Sequence, residues 1–173
     1  MNIAYTIAAE RGDTDLLLHG LATSLLENGY NPTGAVQINT DRADAGRCDM
    51  DVKVLPHGPV IRISQSLGAA SRGCRLDPSA LETAVGLVER RLAQGADCLI
   101  VNKFGKHEAE GRGFRAVIAE ALSLGIPVLV GLNRLNADAF FAFTGGMATE
   151  LPPRPHDIRE WLRLAMTKEA TAA

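Results

Sequence analysis

The 173 residues carry 18 Lys and Arg against 20 Asp and Glu, a formal net charge of -2, so no basic excess points to nucleic acid as a partner. At 46% hydrophobic, 22% charged and 5% aromatic, the composition is ordinary for a soluble globular protein, and the chain is long enough to bury a core. Cys48, Cys74 and Cys98 are too scattered for a disulfide framework or a CxxC metal knuckle, no apolar run nears the roughly 18 residues of a membrane helix, and the start lacks a signal-peptide pattern. A cytoplasmic protein without membrane insertion is expected.

Ile3 to Ala8 reads as a first strand, followed by the polar turn Ala9-Glu10-Arg11-Gly12-Asp13 and a helix from Thr14 to Asn28 with leucines at helical spacing. Asp13 or Thr14 is its expected N-cap and Gly29 its C-cap. Gly34 to Asn39 supplies a second strand, completing a βαβ unit. Thr40 to Asp51 is too polar for a buried element. Val52–Leu55 and Val60–Ile63 flank Pro56-His57-Gly58-Pro59, the pattern of a hairpin. A glycine-punctuated connection from Gln65 to Leu76 leads to Asp77-Pro78, a cap followed by proline, and a helix running to about Gln94.

Cys98-Leu99-Ile100-Val101 is a short apolar run, the mark of a strand buried on both faces. A helix from Phe114 to Leu124, a buried strand from Ile126 to Gly131 and a short helix from Asn136 to Phe143 follow. The last helix, Pro155 to Lys168, is expected to dock through Trp161, Leu162 and Leu164. The expectation is one α/β domain over residues 1–173, three-layered, with a mainly parallel sheet, helices on both faces and an inserted hairpin.

Three stretches can carry chemistry. Glu10-Arg11-Gly12-Asp13-Thr14 joins the first strand to the first helix, where phosphate-cradling loops sit because helix N–H groups face an anion there. A Walker loop needs G-x-x-x-x-G-K-[ST]; here only Gly12 is present, the lysine is absent, and the acids repel an anion. An ordinary capped turn is the alternative. Gln65, Arg72 and Arg75 can clamp an anion, with Cys74 beside them, or form a solvated connection. Asn102 to Arg115 gathers Asn102, Lys103, Lys106, His107, Glu108, Glu110, Arg112 and Arg115 at the carboxyl end of a buried strand. Ligands bind at such ends in open parallel sheets. Glu108 and Glu110 can share a face and hold a hard cation, or pair with the neighbouring lysines and arginine. No histidine pair has zinc-helix spacing and no serine sits in a G-x-S-x-G elbow.

Gly73-Cys74-Arg75-Leu76-Asp77 and the run Val101-Asn102-Lys103-Phe104-Gly105-Lys106 with Glu108-Ala109-Glu110-Gly111-Arg112-Gly113 resemble a bacterial domain-of-unknown-function family encoded near molybdate-uptake genes. Some of its members carry the label of molybdenum-transport ATP-binding proteins. The resemblance covers nearly the whole chain and implies a degenerate relative of P-loop nucleoside triphosphatases, with Glu10 to Thr14 at the phosphate-loop position. It does not imply hydrolysis, because the Walker lysine and the acid that would hold Mg²⁺ are missing, and it carries over no catalytic residue. The expectation is therefore a non-hydrolytic binder of a nucleotide such as ATP or of an oxyanion such as molybdate, using Lys103, Lys106, Arg112 and Arg75. The alternatives are a divergent Mg²⁺-dependent nucleoside triphosphatase using Glu108 or Glu110, and a ligand-free interaction module. Self-association is compatible with all three.

Overall fold

The computed structural model describes residues 2–10, 12–40, 49–65 and 76–170. Seven strands form one sheet: β1 (Ile3–Thr6), β2 (Pro32–Thr40), β3 (Asp49–Leu55), β4 (Val60–Arg62), β5 (Cys98–Phe104), β6 (Val128–Leu132) and β7 (Thr149–Leu151). Their order is β4-β3-β2-β5-β6-β1-β7. The five strands from β2 to β7 along this order run parallel, while β3 and β4 add an antiparallel hairpin beyond β2. The helices are α1 (Asp13–Glu27), α2 (Pro78–Leu92), α3 (Lys106–Ala109), α4 (Arg115–Ser123), α5 (Ala137–Thr144) and α6 (Pro155–Ala170).

Alternation along the central strands sorts the core into two layers. Cys98, Ile100, Ala4 and Leu129 face α1 and α6, meeting Leu18, Leu21, Leu25, Ile158 and Leu162. Leu99, Val101, Tyr5 and Val130 face the other way, against Val88 of α2, Val117 and Ile118 of α4, and Phe140 of α5. Successive side chains of a strand point to opposite faces, so an apolar run such as Cys98–Val101 is stable only when both faces are covered. The result is a three-layer α/β fold with a mainly parallel sheet, as expected.

Several local expectations hold. Asp77 caps α2, its Oδ1 accepting from the N–H groups of Ser79 at 2.9 Å and Ala80 at 3.1 Å with Pro78 at the first helical position, a cap worth about 1 kcal/mol. The hairpin forms across Pro56–Pro59. Others are corrected. β5 continues through Asn102 and Lys103 to Phe104 instead of ending at Val101, because Phe104 still pairs with Leu132 of β6 and is itself buried. β7 carries no strand signature of its own; it forms by adding to the free edge of β1. Asp49 and Asp51 lie in β3, not in a polar loop, and Arg62 of β4 bridges both at 2.7 and 2.9 Å. α6 docks through Ile158, Leu162 and Ala165 with Trp161 at the margin, whereas Leu164 is 47% exposed and points away from the core.

Candidate functional site

α1 follows β1 in the chain and starts at that strand's carboxyl end. Its N-cap is Gly12 at φ 95°, with no side-chain cap, so neither Asp13 nor Thr14 fills the role expected of it. A left-handed N-cap is open to glycine without steric cost. The Thr14 hydroxyl instead turns back and accepts from the Ala8 N–H at 3.3 Å, closing the loop on itself. With Gly12 taken as the second glycine of a phosphate loop, Asp13 stands at the lysine position and Thr14 at the hydroxyl position. Asp13 and Asp15 occupy the first turn of α1. They complement the helix dipole by about 0.3–1 kcal/mol each, and they place negative charge where an incoming anion would go.

The helix start is pressed onto the sheet. A Cβ on Gly131 of β6 would lie 2.0 Å from the Asn102 carbonyl oxygen and 2.9 Å from Thr14 Cγ2, so only glycine lets α1 and β5 close over β6 at this level.

This closeness brings three polar groups together. Asp15, 6% exposed, accepts from Asn102 Nδ2 at 2.7 Å and from Gln37 Nε2 at 3.2 Å. Asn102, 5% exposed, accepts in turn from the backbone N–H of Gln37 at 2.9 Å. The backbone donor fixes which end of the Asn102 amide is oxygen, and hence that its NH₂ faces the carboxylate. An aspartate at 102 would have no proton to give Asp15. The network joins α1, β2 and β5 at the carboxyl ends of the strands. The hydroxyl of Thr6, the last residue of β1, is buried without a hydrogen-bond partner among the described residues.

Beyond Asn102, Lys103 is exposed and holds no ion pair or hydrogen bond among the described residues. α3 is a single turn organised by Glu108, which is 3% exposed. Glu108 Oε2 accepts from the Gly105 N–H at 2.8 Å and Oε1 from the Phe114 N–H at 3.1 Å. Arg115 Nη1 donates to the Glu108 carbonyl at 3.3 Å, and the Arg115 guanidinium sits 4.4 Å from the centre of the Phe143 ring. Glu110 lies at the surface, paired with Arg112 and, at 3.6 Å, with Lys106. The Arg112 hydrogen bond, helped by Lys106, holds the Glu110 carboxyl below its ordinary range. The shared face expected of Glu108 and Glu110 therefore does not form: one is turned inward onto backbone, the other outward onto cations. No cluster of three or more His, Cys, Asp or Glu side chains suited to a metal occurs among the described residues.

Of the other residues singled out by sequence, Glu10, Gly12, Asp13 and Thr14 stand at the end of β1, and Asn102 and Lys103 at the end of β5; the Asp15–Asn102 bond joins the two groups. Gln65 is remote. It donates to the Leu76 carbonyl at 3.0 Å just past β4, five strand spacings or roughly 24 Å from β1. Arg11 and Arg75, like Arg72 and Cys74, lie outside the described residues. Asp15 and Gln37 were not candidates from sequence. The only signal was a second acid in the first turn of α1 and a lone amide between Val36 and Ile38.

A family model described as "Protein of unknown function (DUF2478)" matches residues 3–161. The "Molybdenum import ATP-binding protein ModC 2" of Bradyrhizobium diazoefficiens is 35% identical over 161 residues, covering 93% of this chain but only 18% of that protein. The fold also superposes on a human cancer-related nucleoside triphosphatase solved in solution, with a TM-score of 0.58, 17% identity and full coverage of both chains. At that identity the likeness speaks for the fold.

Proposed function

The chain belongs to the DUF2478 family, and from the geometry at the strand ends we propose that it binds a phosphate-bearing nucleotide or an oxyanion without hydrolysing it, in molybdenum handling or its regulation. The observation that carries the non-hydrolytic part is the Asp15–Asn102–Gln37 network. Phosphoryl transfer is almost entirely positioning and neutralisation of charge by a lysine and a carboxylate-held Mg²⁺. Here Asp13 stands at the lysine position, and the side chain at the end of β5 is an amide already committed to Asp15. Glu108 is held by two backbone N–H groups, which argues against a role for it in holding Mg²⁺.

For binding, the proposal relies on Lys103 as the principal cation at the carboxyl end of the sheet, with Lys106 and Arg112 joining when a stronger acceptor competes with Glu110. The first turn of α1 supplies N–H groups whose pull on an anion is weakened by Asp13 and Asp15. The molybdenum link and ATP as a ligand rest on the name of the relative, and the matched stretch is 18% of that protein, so the ATP-binding part of it can lie elsewhere in its chain.

The test is the melting temperature of ligand-stripped protein against ATP, GTP, molybdate, tungstate, sulfate and phosphate, with and without Mg²⁺, alongside a phosphate-release assay. A ligand at about 100 times its dissociation constant adds roughly 2.7 kcal/mol. The expected result is a shift with one ligand class, no phosphate release, and an affinity lowered about tenfold in Lys103→Ala. Phosphate release dependent on Mg²⁺ would overturn the non-hydrolytic reading. One observation favours a second reading, an interaction module: Asp13 and Asp15 put negative charge in the first turn of α1, where an anion would have to approach. Silence across the whole panel would favour that module.

A further inference from the structure

α1 starts at the carboxyl end of β1 and ends at the amino end of β2, so its C-terminal turn lies at the opposite pole of the molecule from Asp15 and Asn102. There α1 and α6 part to leave a cleft of about 280 Å³. Leu25, Tyr30 and Met166 give it apolar walls, and Arg159 and Arg163 of α6 stand over it. The two arginines are one helical turn apart on the same face, with Cβ atoms roughly 6 Å from each other, a spacing at which like charges repel.

Neither guanidinium is paired with a carboxylate among the described residues. By contrast, Arg62 is neutralised by Asp49 and Asp51, Arg112 by Glu110, and Arg154, just before α6, by Asp157 at 2.5 Å. Among the described residues Arg159 has only two long bonds to neutral oxygens, Ser24 Oγ at 3.4 Å and the Pro155 carbonyl at 3.3 Å. Arg163 has no hydrogen bond or ion pair among the described residues. Glu160, the nearest acid on α6, sits instead 3.8 Å from His156. Nor do the carbonyls ending α1 wait for the arginines, since the N–H groups of Asn28, Gly29 and Tyr30 and the Asn28 side-chain amide already satisfy Ser24, Leu25 and Leu26.

We propose that this cleft is a second ligand site, independent of the one at the strand ends, for a small amphiphilic anion: a phosphate or carboxylate group carried on a planar apolar body. The anionic group would bridge Arg159 and Arg163, relieving their mutual repulsion by charge-assisted hydrogen bonds that guanidinium forks make well to such groups. The body would lie against Leu25, Met166 and the ring of Tyr30. Apolar walls with a few convergent polar groups are the general form of small-ligand sites.

The probe is phenyl phosphate, titrated into the ¹⁵N-labelled protein and followed by amide chemical shifts. The expected result is saturable shifts at 24–30 and 159–166, with affinity reduced about tenfold in Arg163→Gln and further in Arg159→Gln/Arg163→Gln. Arg163 makes no hydrogen bond or ion pair among the described residues that its loss would break, so Arg163→Gln should keep the wild-type spectrum. Lys103→Ala, which tests the other pole, should leave this binding unchanged. Absence of saturable shifts at these residues, shifts confined to the neighbourhood of Lys103, or equal affinity in the double variant would each overturn the proposal.

Discussion

Asparagine at position 102 is what allows Asp15 to sit in the interior, since it donates to the carboxylate with one end and accepts from the Gln37 backbone with the other. Restoring an acid there, Asn102→Asp, keeps the shape but sets two carboxylates at the 2.7 Å of the present hydrogen bond. The expected outcome is a loss of about 3 kcal/mol, read from the urea midpoint at neutral pH, and no gain of nucleotide hydrolysis. An Asn102→Asp protein as stable as wild type would show that the network does not matter to the fold. Cys98 makes a separate case. Burial, with a smaller contribution from Asp97, pushes its thiol up to about 12 from 9.0. A group raised in the folded state stabilises fully below its unfolded value and loses that contribution as pH climbs to the folded one. Stability should therefore fall by roughly 4 kcal/mol between pH 9 and 12, Tyr5, raised by burial and by Glu150, acting in the same direction. Alkaline urea titrations of Cys98→Ala against wild type measure the difference, and a slope unchanged by the substitution would rule this origin out. Peptide mapping after iodoacetamide at pH 8.5 should find Cys98 unmodified until the protein is unfolded.

The seating of α1 on β6 depends on the missing side chain of Gly131 more than on the flexibility of Gly12. Gly131→Ala drives a methyl group into the Asn102 carbonyl oxygen at 2.0 Å, backbone that cannot give way without lifting β5 or α1. About 3 kcal/mol or more should be lost, with the Asp15 network disrupted. Gly12→Ala meets nothing within 4 Å and carries only the strain of its positive φ, about 1–2 kcal/mol. Equal effects of the two substitutions in urea denaturation would refute this account of the helix seat. The same contrast shows what could be read before folding. Elements that bury a continuous or helically spaced apolar pattern, β5, β6, α1 and α2, were legible because burial alone dictates them. β7 was not, since Thr149 and Glu150 are exposed and only the open edge of β1 makes the segment a strand. Nor was the end of β5, where Asn102 looks like loop chemistry until Asp15, 87 residues away, is brought to it. The candidate site was located by the rule that ligands gather at carboxyl ends, but its central contact is long-range and polar, and no local pattern announces it.

At the scale of the molecule, the sheet carries its polar network at the carboxyl ends of the central strands and its cleft with two unneutralised arginines at the other pole. At the first pole Asp13 sets negative charge in the first turn of α1, and one substitution can reverse its sign. Asp13→Lys changes the charge at the start of α1 by two units, returning the residue type that the phosphate-loop pattern requires. Asp13 is exposed and makes no hydrogen bond or ion pair among the described residues, so the helix should lose only its favourable dipole interaction, about 0.3–1 kcal/mol. ATP should then bind at least tenfold more tightly by calorimetry, or about 1.4 kcal/mol. Mg²⁺-dependent turnover should remain absent, because nothing at the end of β5 would hold the metal. Tighter binding without turnover would locate the ligand at the α1 loop. Unchanged affinity in a protein that still melts like wild type would mean that this loop is only a turn, and that any ligand is held at Lys103 or at the α1–α6 cleft.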